Sequence, residues 1–111
     1  MGKTAESPNL KAAMYVLEAA NGPLDGKRWQ FENSIEIGRD AALVQAALPV
    51  DSAVSRKHAR IHESGEQMLL TDMDSSNGTI LRGDVITAAT PIQPGELFQV
   101  GRTFLRVLSS L

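Results

Sequence analysis

An all-β fold, an antiparallel β-sandwich of about eleven short strands in two sheets, is what this sequence predicts, and three observations lead there. Polar and apolar residues alternate over short runs such as Arg28-Trp29-Gln30-Phe31-Glu32 and Ala59-Arg60-Ile61-His62, the period of a strand with one buried face. Glycine, proline, asparagine and aspartate punctuate the chain about every eight to twelve residues, the spacing of sandwich turns. Apolar residues at helical spacing are almost absent.

Taken in order, residues 1–11 are polar and aperiodic, with Gly2, Thr4, Ser7, Pro8 and Asn9, and read as a flexible N-terminal tail ahead of a sandwich domain over 12–111. Met14-Tyr15-Val16-Leu17 is a buried strand ended by Asn21-Gly22-Pro23, and Asp25-Gly26 is a hairpin signal before the strand at Arg28. Ile35-Glu36-Ile37 follows the turn at Asn33-Ser34. Asp40 to Leu48 is alanine-rich with a plausible cap at Asp40, yet too weakly amphipathic for a helix. It reads as a long loop holding a helical turn and a short strand near Leu48. Strands are then expected from His58 to Glu63, Met68 to Thr71, Thr79 to Leu81, at Val85-Ile86, from Leu97 to Val100 and from Thr103 to Leu108. Ser64-Gly65, Arg82-Gly83, Pro94-Gly95 and Gly101-Arg102 supply turns between them. Trp29, Ile35, Ile37, Ile61, Leu70, Phe98 and Leu105 are the expected core.

Composition narrows the function. A chain of 111 residues holds one domain, and a net charge of −2 speaks against a generic nucleic-acid binder. Without cysteine there is no disulfide framework, thiolate metal site or cysteine nucleophile. His58 and His62, four apart on what reads as one strand face, have no third ligand nearby, so no metal and no cofactor is expected. No apolar run approaches a membrane span, and Lys3, Glu6 and Lys11 interrupt any signal peptide; the chain reads as cytoplasmic, with no direct membrane insertion.

The polar chemistry gathers in three loops: Gly38-Arg39-Asp40, Ser55-Arg56-Lys57-His58, and Asp72-Met73-Asp74-Ser75-Ser76-Asn77-Gly78-Thr79. Loops at one end of neighbouring antiparallel strands cluster, so these three can share a surface. Cations, hydroxyls and backbone amides on such a surface suit an anion, and phosphate above all. Ser55, His58 and Asp74 are residue types of a hydrolase triad, but no glycine-framed elbow surrounds Ser55. Neither Gly-Lys pair, at Gly2 or Gly26, has the spacing of a phosphate-binding loop.

In joint order, Gly38-Arg39, Ser55-x-x-His58 and Asn77-Gly78 resemble the forkhead-associated (FHA) domain family, with likeness from Tyr15 to Leu108 that takes in Thr71-Asp72-Met73 and Pro94-Gly95-Glu96-x-Phe98-x-Val100-Gly101. The resemblance implies a non-catalytic module binding phosphothreonine peptides, with a Ser/Thr kinase behind it. It assigns Arg39, Ser55, Arg56, Lys57, Ser76 and Asn77 to phosphopeptide binding, and Gly38, His58 and Gly78 to support of the loops. Where the family often has a second asparagine that braces the loop, this chain has Arg82, which could instead add a cation to the surface. The alternative reading is a phosphate-independent structural docking domain on the same fold, for example in a secretion or membrane-complex system.

Overall fold

The computed structural model describes residues 14–109, so the predicted tail lies outside the described residues. Among the described residues, eleven strands form two sheets. They are β1 (Tyr15–Ala19), β2 (Arg28–Phe31), β3 (Ser34–Gly38), β4 (Ala46–Ala47), β5 (Ala59–Ser64), β6 (Gln67–Asp72), β7 (Thr79–Leu81), β8 (Asp84–Val85), β9 (Thr90–Ile92), β10 (Leu97–Val100) and β11 (Thr103–Ser109). One sheet runs β9-β6-β5-β3-β4, the other β2-β1-β11-β10-β7-β8, and every pairing is antiparallel except the short parallel contact of β3 with β4.

Alternation places the core between the sheets. Ile35, Ile37, Ile61, Leu70, Phe98 and Leu105 are all buried there, with Leu17, Val100 and Val107. Trp29 corrects the expectation, being only half-buried. It lies on the edge strand β2, where no further strand among the described residues covers its outer side, and the Lys27 ammonium sits 5.7 Å from its ring centroid. On the outer face of the second sheet, Glu18 is held between Arg28 and Arg106 at 2.8 Å each.

Two other departures have local causes. The strand β9 has no counterpart in the sequence reading because Pro91 stands at its centre; it survives as an edge strand, where a missing amide donor is tolerated. His58 does not share a face with His62. The strand starts at Ala59, so His58 belongs to the preceding loop and turns fully inward, while His62 stays half-buried with exposed Arg60 on the other face.

The segment after β3 makes one turn, with Ala42 N–H donating to Asp40 Oδ1 and Leu43 N–H to the Asp40 carbonyl, before β4 returns beside β3. The loops after β3, before β5 and between β6 and β7 thereby meet at one end of the sandwich. At the other end, Tyr15 of β1 pairs with Ser109 of β11, and Tyr15 Oη donates to Glu63 Oε2 at 2.7 Å, tying the sheets together.

Candidate functional site

The site is built upward from a tight backbone crossing. A Cβ on Gly38 would come within 2.0 Å of the Arg56 carbonyl oxygen, so only glycine lets the Ser55–His58 loop lie against the end of β3. Backbone hydrogen bonds hold the crossing, from Arg39 N–H to the Ser55 carbonyl at 2.9 Å and from His58 N–H to the Ile37 carbonyl at 2.8 Å.

His58 locks the second level. It is wholly buried; its Nδ1 accepts from Ser55 N–H at 3.0 Å, which leaves Nε2 to donate to the Gly78 carbonyl at 2.8 Å. One imidazole thus fastens the loop before β5 to the loop before β7. Both ring nitrogens are committed to backbone, so neither is available to activate the Ser55 hydroxyl. The serine-histidine pair is structural in its geometry, and no group of three or more metal-ligating side chains occurs among the described residues.

Asp72 organises the β6–β7 loop. Its carboxylate accepts from the Ser75 hydroxyl, Ser75 N–H at 3.1 Å and the Thr79 hydroxyl at 2.7 Å. Burial pushes the Asp72 carboxyl up, but these hydrogen bonds outweigh it and hold the group below its ordinary value. Ser75 Oγ then accepts from Gly78 N–H at 2.9 Å. Gly78 has φ +82°, and a Cβ there would also reach 3.0 Å from a Val85 methyl. Asp51 does the same for the β4–β5 loop, accepting from Ala53 N–H, Arg102 N–H and the Thr103 hydroxyl. Its burial, too, is outweighed by these bonds, and its carboxyl is held low.

On these supports rests an open depression of about 420 Å³ lined by Arg39, Ser55, Arg56, Lys57 and Ser76, together with Leu43 and Asp74. Arg39 is steered by its Nε, which donates to the Val54 carbonyl at 2.9 Å. Ser55 Oγ accepts from Ser76 N–H at 2.9 Å, which leaves the hydroxyl proton to donate outward. The Lys57 ammonium lies 3.6 Å from Glu36, so part of its charge is balanced within the fold. Asn77 is exposed beside the depression rather than lining it, and its amide donates to the Ala53 carbonyl at 2.8 Å. Arg82 contributes no cation here. Its guanidinium turns to Glu96 and to the Pro91 carbonyl.

Leu43 and Asp74 were not among the residues that the sequence reading assigned to the site. Asp74 carried a visible signal, a carboxylate inside the polar loop; Leu43 carried none. A second hollow of about 380 Å³ lies across the Asp51–Val54 turn, bordered by Pro23, Leu24, Leu48 and Val50, with Arg102 as the one cation among the described residues of its lining. Its apolar border makes it a poor host for a doubly charged anion.

The family model described as "FHA domain" matches residues 35–101, more than half of the chain. The chain belongs to the FHA domain family. Its all-β sandwich is the FHA fold: the FHA domain of CT664 from Chlamydia trachomatis superposes with a TM-score of 0.80 at 21% identity, covering 88% of this chain and 99% of that one. An FHA domain studied for its phosphothreonine-dependent interactions has a TM-score of 0.72 at 30% identity, covering 86% and 95%. The FHA domain of FhaA, solved in complex with the intracellular domain of Rv3910, has a TM-score of 0.71 at 31% identity, covering 84% and 98%. Among curated relatives, the FHA domain-containing protein FhaB of Mycobacterium tuberculosis is 31% identical over 99 residues, 86% of this chain and 61% of FhaB. This FHA domain thus spans less than two thirds of that relative. FHA domains are phosphopeptide-binding protein-interaction modules rather than enzymes. No helix among the described residues is long and apolar enough to cross a membrane.

Proposed function

We propose that this FHA domain binds phosphothreonine in a partner protein and serves signalling that depends on a Ser/Thr kinase. The observation that carries the reading is the convergence of Arg39, Ser55, Arg56, Lys57 and Ser76 on one open depression, above a layer whose own polar groups are already satisfied. A phosphate monoester brings nearly two negative charges and three strong acceptors, which match guanidinium and hydroxyl donors. In this reading Arg39 and the Ser55 hydroxyl contact the phosphate, Arg56 and Lys57 supply charge at its edge, Ser76 adds a hydroxyl, and Asn77 meets the peptide backbone. At about 1.5–3 kcal/mol for each charge-assisted bond, three such bonds less the ordering cost give roughly micromolar affinity, near −8 kcal/mol. The solved relative studied for phosphothreonine-dependent interactions supports the choice of ligand.

Titration calorimetry with matched phosphothreonine, phosphoserine and unmodified peptides tests the proposal. Phosphothreonine should bind most tightly, and phosphoserine more weakly, by the worth of a methyl contact, about 1–3 kcal/mol. A partner peptide that binds equally well without phosphate, and is indifferent to Arg39→Ala, would leave the phosphate-independent docking domain as the better account.

A further inference from the structure

Among the described residues lining the cationic depression, Asp74 alone is acidic. It is exposed, and its φ of +60° puts it in the left-handed region that favours glycine and is tolerated by aspartate and asparagine. Its carboxylate takes part in no hydrogen bond or ion pair among the described residues. The neighbouring groups make that plain. Asp72 spends its oxygens on Ser75 and Thr79, and the Lys57 ammonium pairs with Glu36 rather than with Asp74.

Asp74 also borders another hollow, of about 350 Å³, whose wall continues through Thr71, Asp72, Ile86, Thr87 and Ala88. It therefore stands on the ridge between the depression and a space bordered by Ile86 and Ala88, by Thr71 and Thr87, and by Asp72, whose carboxylate is already engaged by Ser75 and Thr79. A phosphopeptide lying in the depression must place its phosphate near this carboxylate, and the two anions repel. The repulsion is relieved when the peptide brings a cation of its own. The adjoining hollow offers room for a long side chain, whose stem can lie along Ile86 and Ala88 while its head meets Asp74.

We propose that Asp74 is a specificity-determining residue that directs this site to phosphothreonine peptides carrying a lysine or arginine close to the phosphorylated residue. This rests on the phosphothreonine reading above and adds the chemistry of the sequence around the phosphate. Asp74 both weakens peptides that are neutral or acidic at that flanking position and rewards a basic one, so discrimination comes from repulsion as well as attraction.

The test uses fluorescence anisotropy at low ionic strength with a phosphothreonine peptide that is alanine at its flanking positions, and with variants placing one lysine or one glutamate at each position in turn. With the wild-type chain, at least one position should favour lysine over glutamate by about tenfold. Asp74→Asn keeps a residue suited to the left-handed backbone; it should bind the all-alanine peptide about three- to fivefold more tightly and bring the lysine-to-glutamate ratio down towards one. Glu66→Gln, which makes the same change in net charge in the turn between β5 and β6 at the opposite end of the sandwich, should leave that ratio intact. Equal binding of lysine and glutamate peptides to the wild type, or a preference undiminished in Asp74→Asn or equally lost in Glu66→Gln, overturns the assignment. If the all-alanine phosphopeptide binds no better than its unmodified form, the phosphothreonine reading fails first.

Discussion

On the rim of the depression, Arg39, Arg56 and Ser76 are exposed and have few partners within the fold, whereas one level down His58 is wholly buried with both ring nitrogens bonded and Asp72 accepts three hydrogen bonds. The same residue types, hydroxyls, carboxylates and nitrogen bases, appear at both levels. What differs is how fully each has been used by the protein itself. A donor already committed to a carbonyl holds a loop in place but offers a ligand nothing; a donor left facing solvent contributes little to stability and can be spent on binding. Substitutions at the two levels should therefore separate stability from affinity, and the sharper the separation, the better the comparison stands.

The largest effects belong to the lower level. Gly38→Ala drives a methyl into the Arg56 carbonyl, and His58→Ala leaves two part-buried backbone groups without a partner. Each should cost about 3–5 kcal/mol of stability in a urea titration, at the upper end for single substitutions. A stable, fully folded Gly38→Ala chain would break the comparison at its base.

Next come the rim residues. Arg39→Ala should weaken a phosphothreonine peptide by about 2–4 kcal/mol in calorimetry while costing no more than about 1 kcal/mol of stability, since only the bond to the Val54 carbonyl is lost within the fold. Ser55→Ala blurs the line in an informative way. It removes the proposed phosphate donor and also the acceptor for Ser76 N–H, so a comparable loss of affinity should come with a measurable loss of stability, about 1 kcal/mol.

Acid should act on the lower level first. The Asp51 and Asp72 carboxyls are held below their ordinary 3.8 in the folded chain. Their contribution to stability is therefore fully present above that value and is lost as pH falls through the lower, folded values. Asp72→Asn should cost about 1–2 kcal/mol at neutral pH, by weakening the hydrogen bonds from Ser75 and Thr79, and should flatten the fall in stability below about pH 4. Peptide affinity should decline at higher pH than stability does, as the phosphate takes up its second proton near pH ~6. Coincident declines would show that the two levels are not independent.

The smallest effect is expected at Arg82. It has φ +52° and Gly83 has φ +84°, the left-handed pair of a tight hairpin turn between β7 and β8. Asparagine adopts that conformation more readily, but Arg82→Asn gives up the exposed ion pair with Glu96. The two changes oppose each other, so stability should move by no more than about 0.5 kcal/mol, with peptide affinity unchanged.

Much of the fold was legible because period-two alternation is strong wherever a strand has one covered face, as in β5 and β6. It failed where tertiary position overrode the local pattern. Pro91 hid β9, since an edge position forgives what a central strand cannot. Trp29 looked like core because alternation gives the face of a strand but not its place in the sheet. The polar loops stood out in the sequence, yet the division of labour within them did not. Nothing local distinguishes Asp72, bound by its neighbours, from Asp74, left facing the depression. That difference depends on where Ser75 and Thr79 fall after the loop has closed. Arg82 could be read as another cation for the surface until the turn pointed it towards Glu96.

The pairing of Tyr15 with Ser109 bears on how such a unit is carried. The strand β11 begins beside Asp51 at the depression's end of the sandwich and runs seven residues away from it, roughly 20 Å, so the two neighbouring strand ends lie at the far pole. The two strand ends thus sit side by side there, as a plug is wired from the back. Domains, tethers or anchors could be added or exchanged at that pole without crossing the ligand's approach, and a recognition surface could pass between hosts of quite different architecture with its geometry undisturbed.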